Sequence, residues 1–250
     1  MRRQIVFMSL LALLIGLTIW ITGIGKIGIY STFTYGDIMT YTKDHLIMVF
    51  WAVLIAMAVG VPLGTLVTRP GFNKISPLVI GGANVGQSIP SLAVIAIMAT
   101  LPFSLWFFRF GFNRETAIIA LFIYGLLPIL RNSYTGVKNI DPAIIEAARG
   151  MGMTRWQIIR KIELPLARPV IMAGIRISTV VTVGTAELAV LVGGKGLGTI
   201  TFTGVLARQP LLILQGAAPT ALLAISLGFI LERVESWMTP RGLKIKAETR

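Results

Sequence analysis

The sequence predicts an all-α integral membrane protein with about six transmembrane helices, and three observations predict it. Hydrophobic residues make up 55% of the 250 and charged residues only 13%, about half the roughly 25% typical of a soluble domain. The apolar residues gather into runs that approach the about 20 needed to cross a bilayer as helix. The basic residues, which bring the net charge to +13, fall between those runs and mostly on one side, a membrane pattern rather than a nucleic-acid one. The chain contains no cysteine, which excludes disulfides and thiolate metal sites.

Hydropathy places the spans at Ile5–Ile24, Leu46–Val67, Leu78–Leu101, Thr116–Leu130, Val170–Val192 and Gln215–Leu231. The first has basic residues ahead of it, as a signal peptide does. Its apolar region is longer than the about 7–15 residues of such a peptide and no A-x-A-like cleavage site follows, so it reads as a retained helix. The fourth is short unless it runs on through Arg131 to Tyr134. With the N-terminus in the cytoplasm, that side collects Arg2, Arg3, Arg69, Lys74, Arg131, Lys138, Arg149, Arg155, Arg160, Lys161, Arg168, Arg233, Arg241, Lys244, Lys246 and Arg250. The outside receives Lys26, Lys43, Arg109, Arg114, Lys195 and Arg208. Cytoplasmic loops carry this excess, which places both termini inside. Pro62, Pro90, Pro128 and Pro219 lie within spans, where neighbouring helices tolerate them. Gly60, Gly64, Gly81, Gly82 and Gly174 allow close helix approach.

The cytoplasmic connection from Gly136 to Arg168 carries the most information. Asp141-Pro142 reads as an N-cap followed by proline at the first helical position. Gly150 and Gly152 provide a turn, and Thr154-Arg155-Trp156-Gln157 has the spacing of a capping box. The second helix is expected to stop near Leu164, ahead of Pro165. The product is a hairpin with apolar residues exposed to water. It is either a partner surface or an amphipathic element lying on lipid, and physics alone leaves both open.

Glu146-Ala147-Ala148, Gly152, Ile162, Leu164 and Pro165 reproduce the pattern E-A-A-x-x-x-G-x(9)-I-x-L-P at every fixed position. In this the chain resembles the permeases of bacterial and archaeal ABC importers. The resemblance implies that the loop is a coupling element seated on a cytoplasmic ATPase. It also implies a five-helix importer-permease core from about His45 to Glu235. Gln87-Ser88-Ile89-Pro90-Ser91-Leu92-Ala93, Leu126 to Gly136, Gly150 to Thr154 and Gly193 to Gly198 are similar to one branch, the glycine betaine, carnitine, choline and proline uptake permeases. The division is one transmembrane domain, 1–250: an extra helix and outer loop over 1–44, the permease core over 45–236 and a cytoplasmic tail over 237–250. That tail is too short to fold, so a binding protein is expected to be a separate chain.

Asn84, Gln87, Ser88 and Ser91 fall at i, i+3, i+4 and i+7, one face of a continuous helix. That stripe is either a wall of the translocation path or a set of interhelical hydrogen bonds. Arg176 and Glu187 lie eleven residues apart on one face of the fifth span, about 16 Å apart along its axis, and so do not pair with each other. Glu187 is a candidate for the outer gate, where its charge would favour a cationic headgroup. The opposing reading is a buried ion pair with another helix, or exposure near the interface. His45 reads as interfacial, since no second metal ligand lies nearby.

No phosphate-binding loop, zinc-protease motif or paired intramembrane carboxylate site occurs. The chain is therefore expected to be non-catalytic, with no metal and no cofactor of its own, ATP and Mg being used by a partner. Its expected partners are two cytoplasmic ATPase subunits, a second permease (identical or a sister chain), a separate extracellular or periplasmic substrate-binding protein and membrane lipid, with no nucleic acid. The expected function is ATP-driven import of a small compatible solute, a quaternary amine such as glycine betaine, carnitine or choline, across a bacterial or archaeal cytoplasmic membrane by alternating access. The alternatives are an amino-acid cargo such as methionine or proline, or a secondary transporter, for which repeats and a midplane ion site are not visible.

Overall fold

The computed structural model describes residues 33–72, 74–100 and 111–238, with Gly16 and the short segments 104–105 and 108–109. The first expected span, Ile5–Ile24, and the tail beyond Met238 lie outside the described residues. Helix α1, Tyr35–Leu66, begins well before the expected Leu46. Its start is set by a capping box in which Thr34 and Asp37 each bond the other's backbone N–H.

The second expected core span is not one helix. It is split into α2, Ser76–Ser88, and α3, Ser91–Thr100, which meet at a bend of 98°. Pro90 causes the break: the residue ahead of it, Ile89, is driven into extended backbone, with φ −75° and ψ 128°. A two-residue antiparallel pairing, Ser104–Leu105 with Phe108–Arg109, follows.

Helix α4, Arg114–Lys138, starts on an Asn113 cap that accepts from the Thr116 N–H, and it runs past Tyr134. Next comes α5, Pro142–Gly150, then α6, Arg155–Ile158, a π turn over Ile159–Glu163, and α7, Leu164–Thr185. The helix therefore does not stop at Leu164. Pro165 has no N–H to donate, and the ladder adapts just upstream by widening, with the Leu164 N–H reaching back to the Ile159 carbonyl. From Arg155 to Val192 the chain is helical without interruption, ending in a 3-10 segment over Ala186–Val192. A further helix, α8 (Gly198–Leu206), lies where only an outer loop was expected, and α9 spans Pro210–Met238.

Four of these stretches are long and apolar enough to cross a membrane: Tyr35–Leu66, Arg114–Lys138, Arg155–Val192 and Pro210–Met238. The bent α2–α3 pair adds a fifth if taken as one span. Helix α1 packs on α4, α4 on α7 and α7 on α9. One buried cluster, including Met48, Ala52, Ile95, Leu121 and Val183, lies toward the α1 start. A second, with Ala56, Ile129, Val137, Ala167 and Ile171, lies toward the α5–α6 hairpin.

Small residues set the spacing. A side chain at Gly60 would strike Ile129, one at Gly64 the Leu130 carbonyl, and one at Gly174 Asn132 and the Pro128 carbonyl. Gly81 and Gly82 face open space instead. Pro62, Pro128 and Pro219 sit inside unbroken helices.

Candidate functional site: the hairpin between α4 and α7

The hairpin is built as its sequence dictates. Asp141 Oδ1 accepts from the Ala143 N–H at 2.9 Å, with Pro142 opening α5. At the far end the Gly152 N–H bonds the Arg149 carbonyl and the Met153 N–H bonds the Ala148 carbonyl, which satisfies two otherwise orphaned acceptors. That closure requires left-handed backbone, and Gly152 supplies it at φ +78°. Gly150 remains helical. Thr154 and Gln157 complete the second capping box, the Thr154 N–H donating to Gln157 Oε1 at 2.8 Å and the Gln157 N–H to Thr154 Oγ1.

The motif residues divide into two groups. Glu146, Ala147 and Gly152 are exposed, beside Met151 at 73% and Trp156 at 63% exposure, with the Arg160 guanidinium over the Trp156 ring. Ala148 is buried, and Ile162, Leu164 and Pro165 are half-buried at the base of the hairpin. The first group presents a mixed apolar and charged tip; the second anchors it.

The anchor holds a feature that sequence inspection missed. Glu163, between Ile162 and Leu164, is only 6% exposed, and both its oxygens accept from the Arg69 guanidinium, one of them at 2.8 Å. The partners are 94 residues apart, and no local pattern links them.

The other expected site residues sit elsewhere. Asn84, Gln87 and Ser88 belong to α2, where Ser88 Oγ donates to the Asn84 carbonyl. Ser91 lies beyond the Pro90 bend, so the four do not form one stripe. Glu187 lies in the 3-10 segment and accepts from the Thr220 hydroxyl of α9 through one oxygen, while its other oxygen is buried. Its hydrogen-bond partner is therefore a hydroxyl. Arg176 reaches Glu232 at 3.7 Å and Glu235 at 3.4 Å, tying α7 to α9. His45 is fully buried within the bundle, donating from Nε2 to the Val183 carbonyl at 3.0 Å. Among the described residues no group of acidic or histidine side chains is arranged to hold a metal ion.

Comparison with known proteins agrees with this architecture. Residues 60–243 match the family described as the inner membrane component of binding-protein-dependent transport systems. The chain is 43% identical over 209 residues to OpuCB of Bacillus subtilis (strain 168), a glycine betaine/carnitine/choline transport system permease protein, covering 84% of this chain and 92% of that one. It is 38% identical over 242 residues to the osmoprotectant import permease protein OsmY of Salmonella typhimurium, covering 96% and 95%. Its fold is similar to that of the MetNI methionine ABC transporter in an inward-facing conformation, with a TM-score of 0.70 and 27% identity over 79% of this chain and 94% of that one. With an all-α bundle, helices fit to span a membrane and the complete hairpin motif, the chain belongs to the family of inner-membrane permease components of binding-protein-dependent ABC importers.

Proposed function

We propose that the chain forms the translocation pathway of an ATP-driven importer for a quaternary-amine compatible solute, coupled through its hairpin to a separate ATPase. The observation that carries the coupling is the tip itself: Ile144, Met151 and Trp156 exposed on a short, capped, well-anchored hairpin. Apolar side chains held out on so small an element favour a partner groove. The 38% to 43% identity to permeases of osmoprotectant systems supports the cargo class.

On this reading Glu146, Ala147 and Gly152 meet the ATPase, while Ala148, Ile162, Leu164 and Pro165 hold the hairpin to the bundle. On the same reading it is the ATPase, rather than this chain, that binds ATP and Mg. A second permease and an external binding protein complete the assembly, and the basic excess puts the hairpin in the cytoplasm. Asn84, Ser88 and Ser91 line the path at the α2–α3 bend rather than along one helix face.

Reconstitution with the cognate ATPase and binding protein tests the proposal. Radiolabelled glycine betaine, carnitine or choline is expected to accumulate only with ATP. Accumulation of methionine or proline in their place would move the cargo to the amino-acid alternative. An ATPase that neither binds the permease nor supports uptake would overturn the coupling reading.

Glu187 is assigned to pinning the 3-10 segment onto α9 through Thr220, not to attracting cargo. Replacement by glutamine keeps an acceptor for the Thr220 hydroxyl, so Glu187→Gln is expected to leave uptake affinity and rate unchanged. A loss of affinity confined to cationic solutes would restore the gate reading.

A further inference from the structure

We propose that Arg69 is a positioning residue for energy coupling: by clamping Glu163 it makes the end of α1 move with the hairpin as one body. This deepens the coupling reading above and rests on it.

The hairpin is joined covalently to α4 on one side and to α7 on the other. The two stalks pack closely where it leaves the bundle, an added carbon at Gly136 lying 3.1 Å from Val170 Cβ and 3.2 Å from the Ala167 carbonyl. Helix α1 has no covalent share in this unit. It approaches α4 at Gly64, against the Leu130 carbonyl and Ser133. Along its last turns a groove lined by Val61, Pro62, Leu66, Trp156 and Leu164 lies between it and the helical arm returning from the hairpin. Arg69 spans this gap.

The geometry suits transmission of force. Arg69 sits three residues past the end of α1 in a hydrogen-bonded turn, its N–H on the Leu66 carbonyl at 3.0 Å and the Val67 N–H on the Leu63 carbonyl at 3.0 Å. Val67 is itself buried. The guanidinium holds both carboxylate oxygens, so it fixes orientation as well as distance. Glu163 lies in the π turn, where the helix exchanges its α-type hydrogen bonds for the wider π spacing. Without Arg69, this buried carboxylate would lose its ion pair and both hydrogen bonds of the clamp.

The test uses the full transporter in liposomes, reading uptake and ATP hydrolysis together. Arg69→Gln and Glu163→Gln are each expected to keep the ATPase bound and hydrolysing, while uptake per ATP falls about tenfold. The exchange Arg69→Glu with Glu163→Arg is expected to restore part of that ratio. Unchanged uptake per ATP in both single variants would overturn the proposal.

A second measurement stands even if the exchange fails to fold. Because the chain has no native cysteine, Arg69→Cys with Glu163→Cys can be bridged by a short bismaleimide. Uptake per ATP, lowered in the unbridged variant by loss of the clamp, is expected to rise on bridging, since the two ends travel together. Loss of uptake only on bridging would show that they must separate, and would overturn the proposal. A Met151→Cys probe that forms no cross-link to the bound ATPase would defeat the coupling reading itself, and this inference with it.

Discussion

Replacing Gly152 by valine is expected to abolish uptake and release the ATPase, while the protein stays folded in the membrane. The substitution meets no crowding, because nothing lies within 4 Å of a side chain at that position. The penalty is conformational. At φ +78° a β-branched residue is strained, by roughly 1–3 kcal/mol, and the helix end loses the geometry that lets the Gly152 and Met153 N–H groups close on the Arg149 and Ala148 carbonyls. That is enough to rearrange an exposed tip but not to unfold a bundle of packed helices. Asparagine tolerates left-handed backbone, so Gly152→Asn is expected to retain most of the uptake. Co-purification of the ATPase with a tagged permease, measured beside solute uptake, checks both variants. Normal uptake by Gly152→Val would count directly against the hairpin as the coupling element.

At the opposite end of the molecule, Gly198→Ala is expected to be strongly destabilising. The added carbon would fall within van der Waals contact of the Glu187 carbonyl oxygen and 2.8 Å from its carbon. Backbone cannot swing aside as a flexible side chain does. Gly216 of α9 is similarly confined, with the Thr201 nitrogen 2.6 Å from an added carbon. Overpacking of this kind typically costs about 1–3 kcal/mol and sometimes more. Because α8 is wedged between the 3-10 segment and α9, relief at one contact tightens the other. Thermal unfolding in detergent is expected to show a clear drop for Gly198→Ala and none for Gly184→Ala, whose side chain would meet nothing within 4 Å. Equal stability of the two variants would show that the α8 wedge is looser than its packing indicates.

What was legible in the sequence was what local chemistry dictates. Asp141-Pro142, the Thr154–Gln157 box and Gly152 are short-range devices, and each performs in the structure the role its spacing implies. The apolar spans were legible because bilayer thickness demands them, although their ends were not. The start of α1 at Tyr35 had a signal, Thr34 and Asp37 three apart, that lies outside the apolar run and so escapes hydropathy. The break at Pro90 was open to reading as a kink or a full stop, since tertiary packing decides between them. Pro165 went the other way: the proline that was expected to end a helix is accommodated inside one by the π turn. The Arg69–Glu163 pair, the burial of His45 and the hydroxyl partner of Glu187 were not legible. Each joins residues far apart in the chain, and which helix faces meet is settled only when the bundle closes.

The widened turn before Leu164 has a consequence for how this long helix is phased. Each α-helical residue advances the azimuth by about 100°, and a π turn accommodates one extra residue without breaking the rod. The stretch ahead of the turn, with Trp156 and Ile158, and the stretch behind it, with Ala167 and Ile171, therefore answer to separate periodicities. The outward face of the cytoplasmic arm and the inward face of the bundle are set independently, so the arm's compass bearing can be tuned without disturbing how the span behind it packs.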